Sequence, residues 1–216
     1  MVDLYGTNNI YITTAHPYTW KDEVRKRIET VKADQYVIAA PHKVGKTKMA
    51  IDMAYEFANN GNDVLFVTAS AHDAEIVVLT LRVIKECKVL RKDGACLLRT
   101  ERGTILVPYT EDELNSIMLS GDMTDVIIAD GCEVFSNEKL HCLAMKGAIS
   151  NAMSVYFGAE ELGKTNLNKS VWKWFMNHPA CDVTKVIECD TIKTSHSVGF
   201  DLDIISKLFA APPCVA

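Results

Sequence analysis

The chain has 216 residues and a net charge of −5, with 48% hydrophobic and 24% charged residues. This length suits one well-buried domain, and the composition is that of a globular protein, so a disordered or fibrous chain is excluded. The acidic balance provides no electrostatic footprint for duplex DNA over the whole domain, although it leaves room for a local basic patch.

Cysteine usage and apolar run lengths indicate a cytosolic protein. The seven cysteines form no CxxC pair, and their odd number argues against a closed disulfide framework, so we expect reduced thiols. No apolar run approaches the ~20 residues that span a bilayer, and the N-terminus lacks the pattern of a signal peptide. We therefore expect a cytoplasmic location, the host cytoplasm if the protein is viral, and no membrane partner.

Two aromatic residues precede the first predicted helix. A β-like run over residues 9–15 leads to Tyr18 and Trp20, and a helix is predicted at Lys21 to Lys32. A helix placed before a phosphate loop is well located to touch a purine base, so either ring could stack on a nucleotide. The alternative is that an aromatic ring anchors the helix to the core.

The stretch from Val37 to Thr68 has the order strand, loop, helix, strand. Its loop follows the phosphate-binding pattern GxxxxGK[ST], except that alanine replaces the first glycine. Gly45 lets the backbone approach a phosphate, Lys46 can reach the β- and γ-phosphate oxygens, and the Thr47 hydroxyl can ligate Mg²⁺. The next helix directs its N-terminal amides at the same anion. The predicted lining is Ala40, Pro41, His42, Lys43, Val44, Gly45, Lys46 and Thr47.

A second buried run closes on a carboxylate. Val126 to Asp130 has four apolar residues and then an aspartate, the Walker B arrangement, which places Asp130 near Mg²⁺ beside the Thr47 hydroxyl. We expect Asp130 at the C-terminal end of a central parallel strand, next to the strand that leads to Ala40. Ser70 or Asp73 is expected to cap an earlier helix, or their turn to touch a polymer above the sheet.

Strands alternate with helices along the chain, which predicts an α/β fold of the P-loop NTPase class, with a parallel central sheet and helices on both faces. We expect a single domain over 1–216, with an N-terminal segment and helix (1–36), a nucleotide-binding core (37–176), and a C-terminal strand, helix and linker-like end (177–216). Further helices are predicted at Thr47 to Asn59, Ala74 to Val89, Glu111 to Leu119, Leu140 to Ile149, Asn168 to Met176 and Leu202 to Leu208.

A second segment, Gly158 to Thr165, matches GxxxxGKT in full. Glu160 and Glu161 would place two negative charges in a cradle for a polyphosphate, where they repel it. Only about 20 residues separate this segment from the next apolar run and its acid, Asp190, which leaves little space beside a βαβ unit of roughly 30 residues. The loop ending at Thr47 is therefore preferred.

In their order and spacing these motifs resemble the ATPase domain of large terminase subunits, the motors that package DNA into tailed-phage and herpesvirus capsids, and more distantly helicases of superfamilies 1 and 2. The resemblance runs from about Pro17 to Trp174. Its elements are the aromatic segment Pro17 to Trp20, the loop Ala40 to Thr47, LFVTASAHDAE, ERGTILVPYT, Gly121 to Asp130, and Phe157-Gly-Ala with Gly163-Lys-Thr-Asn-Leu-Asn beyond it.

The resemblance implies an ATPase that uses ATP and Mg²⁺ to move double-stranded DNA, within a homo-oligomer or with other packaging-motor subunits. Lys46 would hold the β- and γ-phosphates, and Thr47 and Asp130 the metal. His42 stands where the family has an arginine, with Lys43 beside it, so a cation for the transition state is still present.

Two departures from the family pattern bear on hydrolysis. The family's water-activating glutamate follows the Walker B aspartate, and here that position is Gly131, with Glu133 the nearest carboxylate. Turnover would then use Glu133, and restoring glutamate at position 131 is expected to raise it. The family's glutamine near Trp20 and its following nuclease domain are also missing from the sequence.

Three functions remain open. The first is a terminase-like ATPase that couples hydrolysis to DNA movement. The second is a non-hydrolysing P-loop module for nucleotide binding or assembly, which Gly131 favours. The third is a helicase-like DNA-dependent ATPase. A small-molecule kinase is disfavoured because the sequence has no evident arginine-rich lid.

Overall fold

The computed structural model describes residues 9–13, 19–31, 33–92, 94–159 and 181–188. Tyr18, most of the competing loop, Asp190 and the helices predicted at Asn168 to Met176 and Leu202 to Leu208 lie outside these ranges. In chain order, the elements are β1 Asn9–Thr13, α1 Thr19–Thr30, β2 Gln35–Ala40, α2 Lys46–Asn59, β3 Asp63–Val67, α3 Ala71–Ile84, β4 Lys88–Lys92, β5 Ala95–Arg99, β6 Thr104–Pro108, α4 Glu111–Leu119, β7 Val126–Asp130, a 3-10 turn Cys132–Val134, α5 Asn137–Ser150, β8 Met153–Ala159 and β9 Cys181–Glu188.

The described strands form one sheet of nine strands in the order β1-β9-β2-β8-β7-β3-β6-β5-β4. Pairing is parallel from β1 through β6, and antiparallel only between β6 and β5 and between β5 and β4. The C-terminal ends of β2, β3 and β7 therefore lie along one edge, where ligands bind in open α/β sheets. All functional positions considered below lie at or just beyond this edge.

Helices cover both faces of the sheet because alternate residues of each central strand point to opposite sides. Tyr36 and Ile38 of β2 join a cluster with buried residues of α1, α2 and α3. Val37 and Ala39 of the same strand join a second cluster with α4 and α5. The predicted class is confirmed: an α/β P-loop NTPase fold with a mostly parallel sheet between two helical layers.

The predicted neighbour of the Walker B strand is wrong. β7 pairs with β3 and β8, whereas β2 pairs with β8 and β9, so β8 separates Asp130 from the strand that leads to Ala40. Strands that follow one another in the local pattern need not be adjacent, because crossover connections can skip a position in a sheet.

One predicted helix boundary is also corrected, at the antiparallel end of the sheet. The helix expected to run to Val89 ends at Ile84, and Glu86 has a φ of 55°. The chain then forms β4, which hydrogen-bonds to β5 in an antiparallel hairpin. Val89 was predicted as helical because its apolar spacing continues that of α3, whereas pairing with β5 decides its conformation.

Three helices that start near the functional edge are capped by side chains. Ser70 accepts a hydrogen bond from the Asp73 amide at the start of α3, Thr110 from the Glu113 amide in α4, and Ser136 from the Lys139 amide in α5. Each hydroxyl satisfies an amide that has no partner within its helix. The predicted capping role of Ser70 is confirmed.

No helix in the described part of the chain is both long and apolar enough to cross a membrane.

Candidate nucleotide-binding site

The loop between β2 and α2 adopts a conformation with two left-handed residues, Lys43 at φ 60° and Gly45 at φ 85°. Val44 between them is fully buried, so it anchors the loop in the core. The Gly45 carbonyl accepts the first helical bond from the Met49 amide. Such left-handed turns at a helix N-terminus direct successive backbone amides to one side, which is the arrangement that binds phosphate.

Lys46, the first residue of α2, lies over its own loop. Only 9% of the residue is exposed, and its Nζ atom donates hydrogen bonds to the carbonyl oxygens of Ala40 at 3.0 Å and Pro41 at 2.8 Å. The ammonium group is therefore held at the mouth of the loop. A phosphate oxygen entering the loop would meet a cation already in position.

Asp130 ends β7, close enough to the Thr47 hydroxyl and the Lys46 ammonium for both to act on its carboxyl group. Burial raises the pKa of Asp130 to about 6, although the Thr47 hydroxyl and the Lys46 charge act in the opposite direction. A hydroxyl and a carboxylate that lie near each other beside such a loop offer the hard oxygen ligands that Mg²⁺ prefers. Thr47 and Asp130 therefore fit a magnesium ion bound with a nucleotide.

Strand β8 lies between β2, which leads into the loop, and β7, which ends at Asp130. It ends in Phe157-Gly158-Ala159, with Gly158 paired to Ala39 and Ala159 to Ala40. Phe157 pairs with Asp130 on the other side, and its carbonyl accepts the Gly131 amide at 3.1 Å.

Gly131 cannot be replaced freely. Its φ is 81°, a conformation that residues with a Cβ rarely adopt, and an added Cβ would lie 3.0 Å from the Ala69 Cβ. The expectation that glutamate at position 131 raises turnover is therefore corrected, because the backbone there favours glycine. A carboxylate for water must come from another position.

Glu133 lies in the 3-10 turn after Gly131 and is half-buried. Its charge contributes to the raised pKa of Asp130, so the two carboxylates are close. The Glu133 Oε2 atom is fully buried and has no hydrogen-bond partner in the described part of the chain. Burying a carboxylate oxygen without a hydrogen-bond donor destabilises the fold, and a water molecule or metal ion bound at the site would reduce that cost.

One contributor to this site was missed by sequence reasoning. The turn from Thr68 to Asp73 leaves β3 directly beside Asp130, because Val67 of β3 pairs with Ala129 of β7. The Asp73 charge also raises the pKa of Asp130. The sequence indicated a capping role for this turn, or contact with a polymer above the sheet, but not its place beside Asp130, since local pattern does not reveal the pairing of β3 with β7.

The predicted loop cations and the aromatic residue differ in accessibility. His42 and Lys43 are both exposed at the loop. Trp20 is fully buried in the cluster that includes Val24. Its ring has no exposed face on which a purine could stack, so the predicted nucleotide contact of Trp20 is corrected: the ring anchors α1 to the sheet.

Fold and site together define a P-loop NTPase-type α/β domain. No protein-family model matches the sequence, and no curated protein is significantly similar to it. Similarity is found among solved structures. The ATPase domain of the large terminase of Thermus phage P74-26 superimposes with a TM-score of 0.53 at 12% identity, over 76% of this chain and 79% of that one.

A second similar structure is the large terminase of a thermophilic bacteriophage, with a TM-score of 0.57 at 9% identity. The match covers 76% of this chain and 44% of that one. The predicted likeness to large terminase ATPase domains is therefore confirmed at the level of fold. At identities this low, structural similarity establishes the fold alone. Any activity has to be argued from the residues of the site.

Proposed function

We propose that the chain binds ATP with Mg²⁺ through the loop Ala40 to Thr47 and hydrolyses it as a terminase-like ATPase. The observation that carries this proposal is the proximity of Thr47 and Lys46 to the Asp130 carboxyl group at the C-terminal edge of the sheet, where both act against the rise in the Asp130 pKa. Residues of two separate motifs, both candidates for holding a metal ion and phosphates, therefore lie at one place. The printed names of the two similar structures, both large terminases, support the same class.

In this proposal each residue of the site has a distinct task. Lys46 neutralises the β- and γ-phosphate oxygens, and Thr47 and Asp130 would hold Mg²⁺, whose positive charge would offset that of the phosphates. The exposed His42 or Lys43 adds positive charge as negative charge develops on the leaving oxygen. Glu133 orients the attacking water, because one of its oxygens is buried and has no hydrogen-bond partner among the described residues.

The likeness to large terminases extends the proposal in three ways. Hydrolysis would be coupled to movement of double-stranded DNA. The chain would assemble as a homo-oligomer or with packaging-motor subunits, and it would act in a host cytoplasm. We also keep the proposal of one domain with an N-terminal segment at 1–36, a nucleotide-binding core at 37–176 and a C-terminal segment at 177–216. A non-hydrolysing nucleotide-binding module is the second candidate, and the glycine at position 131 favours it. The third candidate, a helicase-like DNA-dependent ATPase, differs from the terminase-like ATPase in acting on single strands of DNA instead of the duplex.

The experiment is ATP binding by calorimetry with Mg²⁺, and hydrolysis with and without duplex DNA, for wild type and Lys46→Ala. A charge-assisted phosphate contact is worth about 1.5–3 kcal/mol, so Lys46→Ala should weaken binding by about 10-fold or more. The matched control is Lys48→Ala, since Lys48 is an exposed lysine two residues away that pairs with Asp52.

Loss of binding in Lys164→Ala, with binding retained in Lys46→Ala, would show that the competing loop holds the phosphates. Binding without hydrolysis in wild type would leave the non-hydrolysing module. Stimulation of hydrolysis by duplex DNA supports the motor, and stimulation by single strands alone favours the helicase-like alternative.

A further inference from the structure

The position that supplies a water-activating carboxylate in large terminases cannot do so here, because Gly131 is left-handed and packs against Ala69. The same contact brings the turn Thr68 to Asp73 to the end of the Walker B strand. Two carboxylates of the described chain are placed at this end of β7: Glu133 lies in the 3-10 turn that follows Gly131, and Asp73 lies in the turn that leaves β3, the strand paired with β7. Only Glu133 has a role in the function proposed above.

The turn that carries Asp73 is held by a chain of polar contacts. The Lys139 ammonium donates to the Thr68 carbonyl at 2.9 Å and lies 4.2 Å from the centre of the Phe135 ring. The Thr68 hydroxyl donates to the Ser70 carbonyl at 2.9 Å. The turn is thus tied from one side to the segment that follows Glu133, and cannot move independently of it without breaking these contacts.

Within the turn, the Ser70 hydroxyl donates to Asp73 Oδ2 at 2.6 Å, while the Asp73 amide donates to Ser70 Oγ at 3.2 Å. The carboxylate is therefore fixed in direction although the residue is exposed. One of its oxygens has a donor, and the exposed carboxylate remains accessible to water. A carboxylate oriented in advance acts on a water molecule without first paying for its own ordering.

We propose that Asp73 acts with Glu133 on the attacking water, in place of the carboxylate that position 131 lacks. This inference rests on the proposed ATPase function. In the step, the water oxygen forms a bond to the γ-phosphorus while the bond from that phosphorus to the bridging oxygen breaks. The water proton passes to a carboxylate of this pair and then to solvent, which leaves ADP and inorganic phosphate.

The competing explanation is that Asp73 only stabilises the first turn of α3. The chain offers a matched control, since Glu113 has the same third position of α4, where the Thr110 hydroxyl accepts from its amide at 3.1 Å. Asp73→Asn and Glu113→Gln each remove one negative charge from the first turn of a capped helix. Only the first of them lies beside Asp130.

The experiment measures kcat, KM, Mg·ADP affinity by calorimetry and Tm for wild type and both variants. We expect Asp73→Asn to lower kcat by about 10²-fold, as for loss of a water-positioning group, with KM and Mg·ADP affinity changed less than about 2-fold. Glu113→Gln should leave kcat unchanged, with a Tm shift similar to that of Asp73→Asn. Asp73→Glu should recover part of the lost kcat.

Unchanged kcat in Asp73→Asn, with an active wild type, would overturn this inference and leave the proposed function intact. A wild type that binds Mg·ATP without turnover would overturn it too, while the nucleotide site stands. A wild type that binds no nucleotide would reject the proposed function itself. If Asp73→Asn fails to fold, Asp73→Ser, which keeps a polar group in the helix's first turn, is measured in its place.

Discussion

At the scale of single residues, the site combines groups that are unfavourable for the fold alone. Asp130 is a carboxylate whose pKa burial raises to about 6, and Glu133 buries one oxygen without a partner in the described chain. Lys43 adopts a left-handed conformation that glycine would adopt at lower cost. These unfavourable groups lie at one edge of the sheet, which is consistent with the proposed binding of a charged ligand there.

The raised pKa of Asp130 predicts that Asp130→Asn stabilises the protein when no nucleotide or Mg²⁺ is present. Because the folded pKa lies above the unfolded value of about 3.9, the folded state loses stability as pH rises from about 4 to 6, and the loss persists above 6. At about pH 7.5 the variant should gain about 1–3 kcal/mol, since each pKa unit corresponds to 1.36 kcal/mol.

Thermal unfolding followed by circular dichroism between about pH 4 and 7.5 measures this effect. The difference in stability between variant and wild type should fade toward about pH 4, because there the folded wild type carries a neutral Asp130, like the neutral asparagine of the variant. Mg·ADP binding should be lost in the variant. A variant that is less stable than wild type at about pH 7.5 would contradict the assignment of a buried, charge-penalised Asp130.

At the scale of elements, the β5-β6 turn packs closely against the end of α2. A Cβ added at Gly103 would lie 2.3 Å from the Asn62 carbonyl oxygen and 2.6 Å from that of Ala58. These are backbone atoms, so they cannot move aside as a flexible side chain could. The antiparallel part of the sheet therefore depends on a residue without a side chain where it meets the helix after the phosphate loop.

Gly103→Ala is accordingly expected to lower the free energy of unfolding by about 1–3 kcal/mol, the usual cost of overpacking. Urea denaturation provides the measurement. Gly121→Ala is the matched control, because an added Cβ there meets no atom within 4 Å. Equal stability of the two variants would mean that the turn moves away from α2 at little cost.

At the scale of the whole molecule, one buried ion pair ties α1 to the sheet. Arg27 donates from Nε and Nη2 to the two carboxylate oxygens of Asp182 at 2.5 and 2.6 Å. The Asp182 side chain is 1% exposed and that of Arg27 is 20% exposed. Asp182 lies in β9, between β1 and β2, so this pair joins the N-terminal helix to the strands beside the phosphate loop.

Asp182→Ala is expected to destabilise the protein by about 3–5 kcal/mol, because it removes the buried carboxylate that accepts two charge-assisted hydrogen bonds from Arg27. The exposed pair Arg25 and Glu56, which joins α1 to α2 at 2.9 Å, is the control. Glu56→Ala should cost at most about 1 kcal/mol. Urea unfolding of both variants tests the difference, and similar losses would show that the Arg27 pair is solvated like a surface contact.

The sequence by itself determined the local units of this protein. The loop from Ala40 to Thr47, the helix after it and the buried strand ending at Asp130 all appear within a residue or two of the predicted places. Apolar spacing, glycine position and capping residues act over only a few residues, so they can be recognised without knowledge of the fold. Proximity of Thr47 to Asp130 also followed, because strands of a parallel sheet end at a common edge.

Only the tertiary structure decided which units are neighbours. Placement of β8 between β2 and β7, the burial of Trp20 and the end of α3 at Ile84 all depend on contacts between residues distant in sequence. The position of Asp73 also depends on such contacts. Local pattern indicates that its turn caps a helix, whereas the pairing of β3 with β7 places the turn near Asp130. Local periodicity specifies the face that a segment buries, whereas strand order arises from packing of the whole chain, which no short stretch encodes.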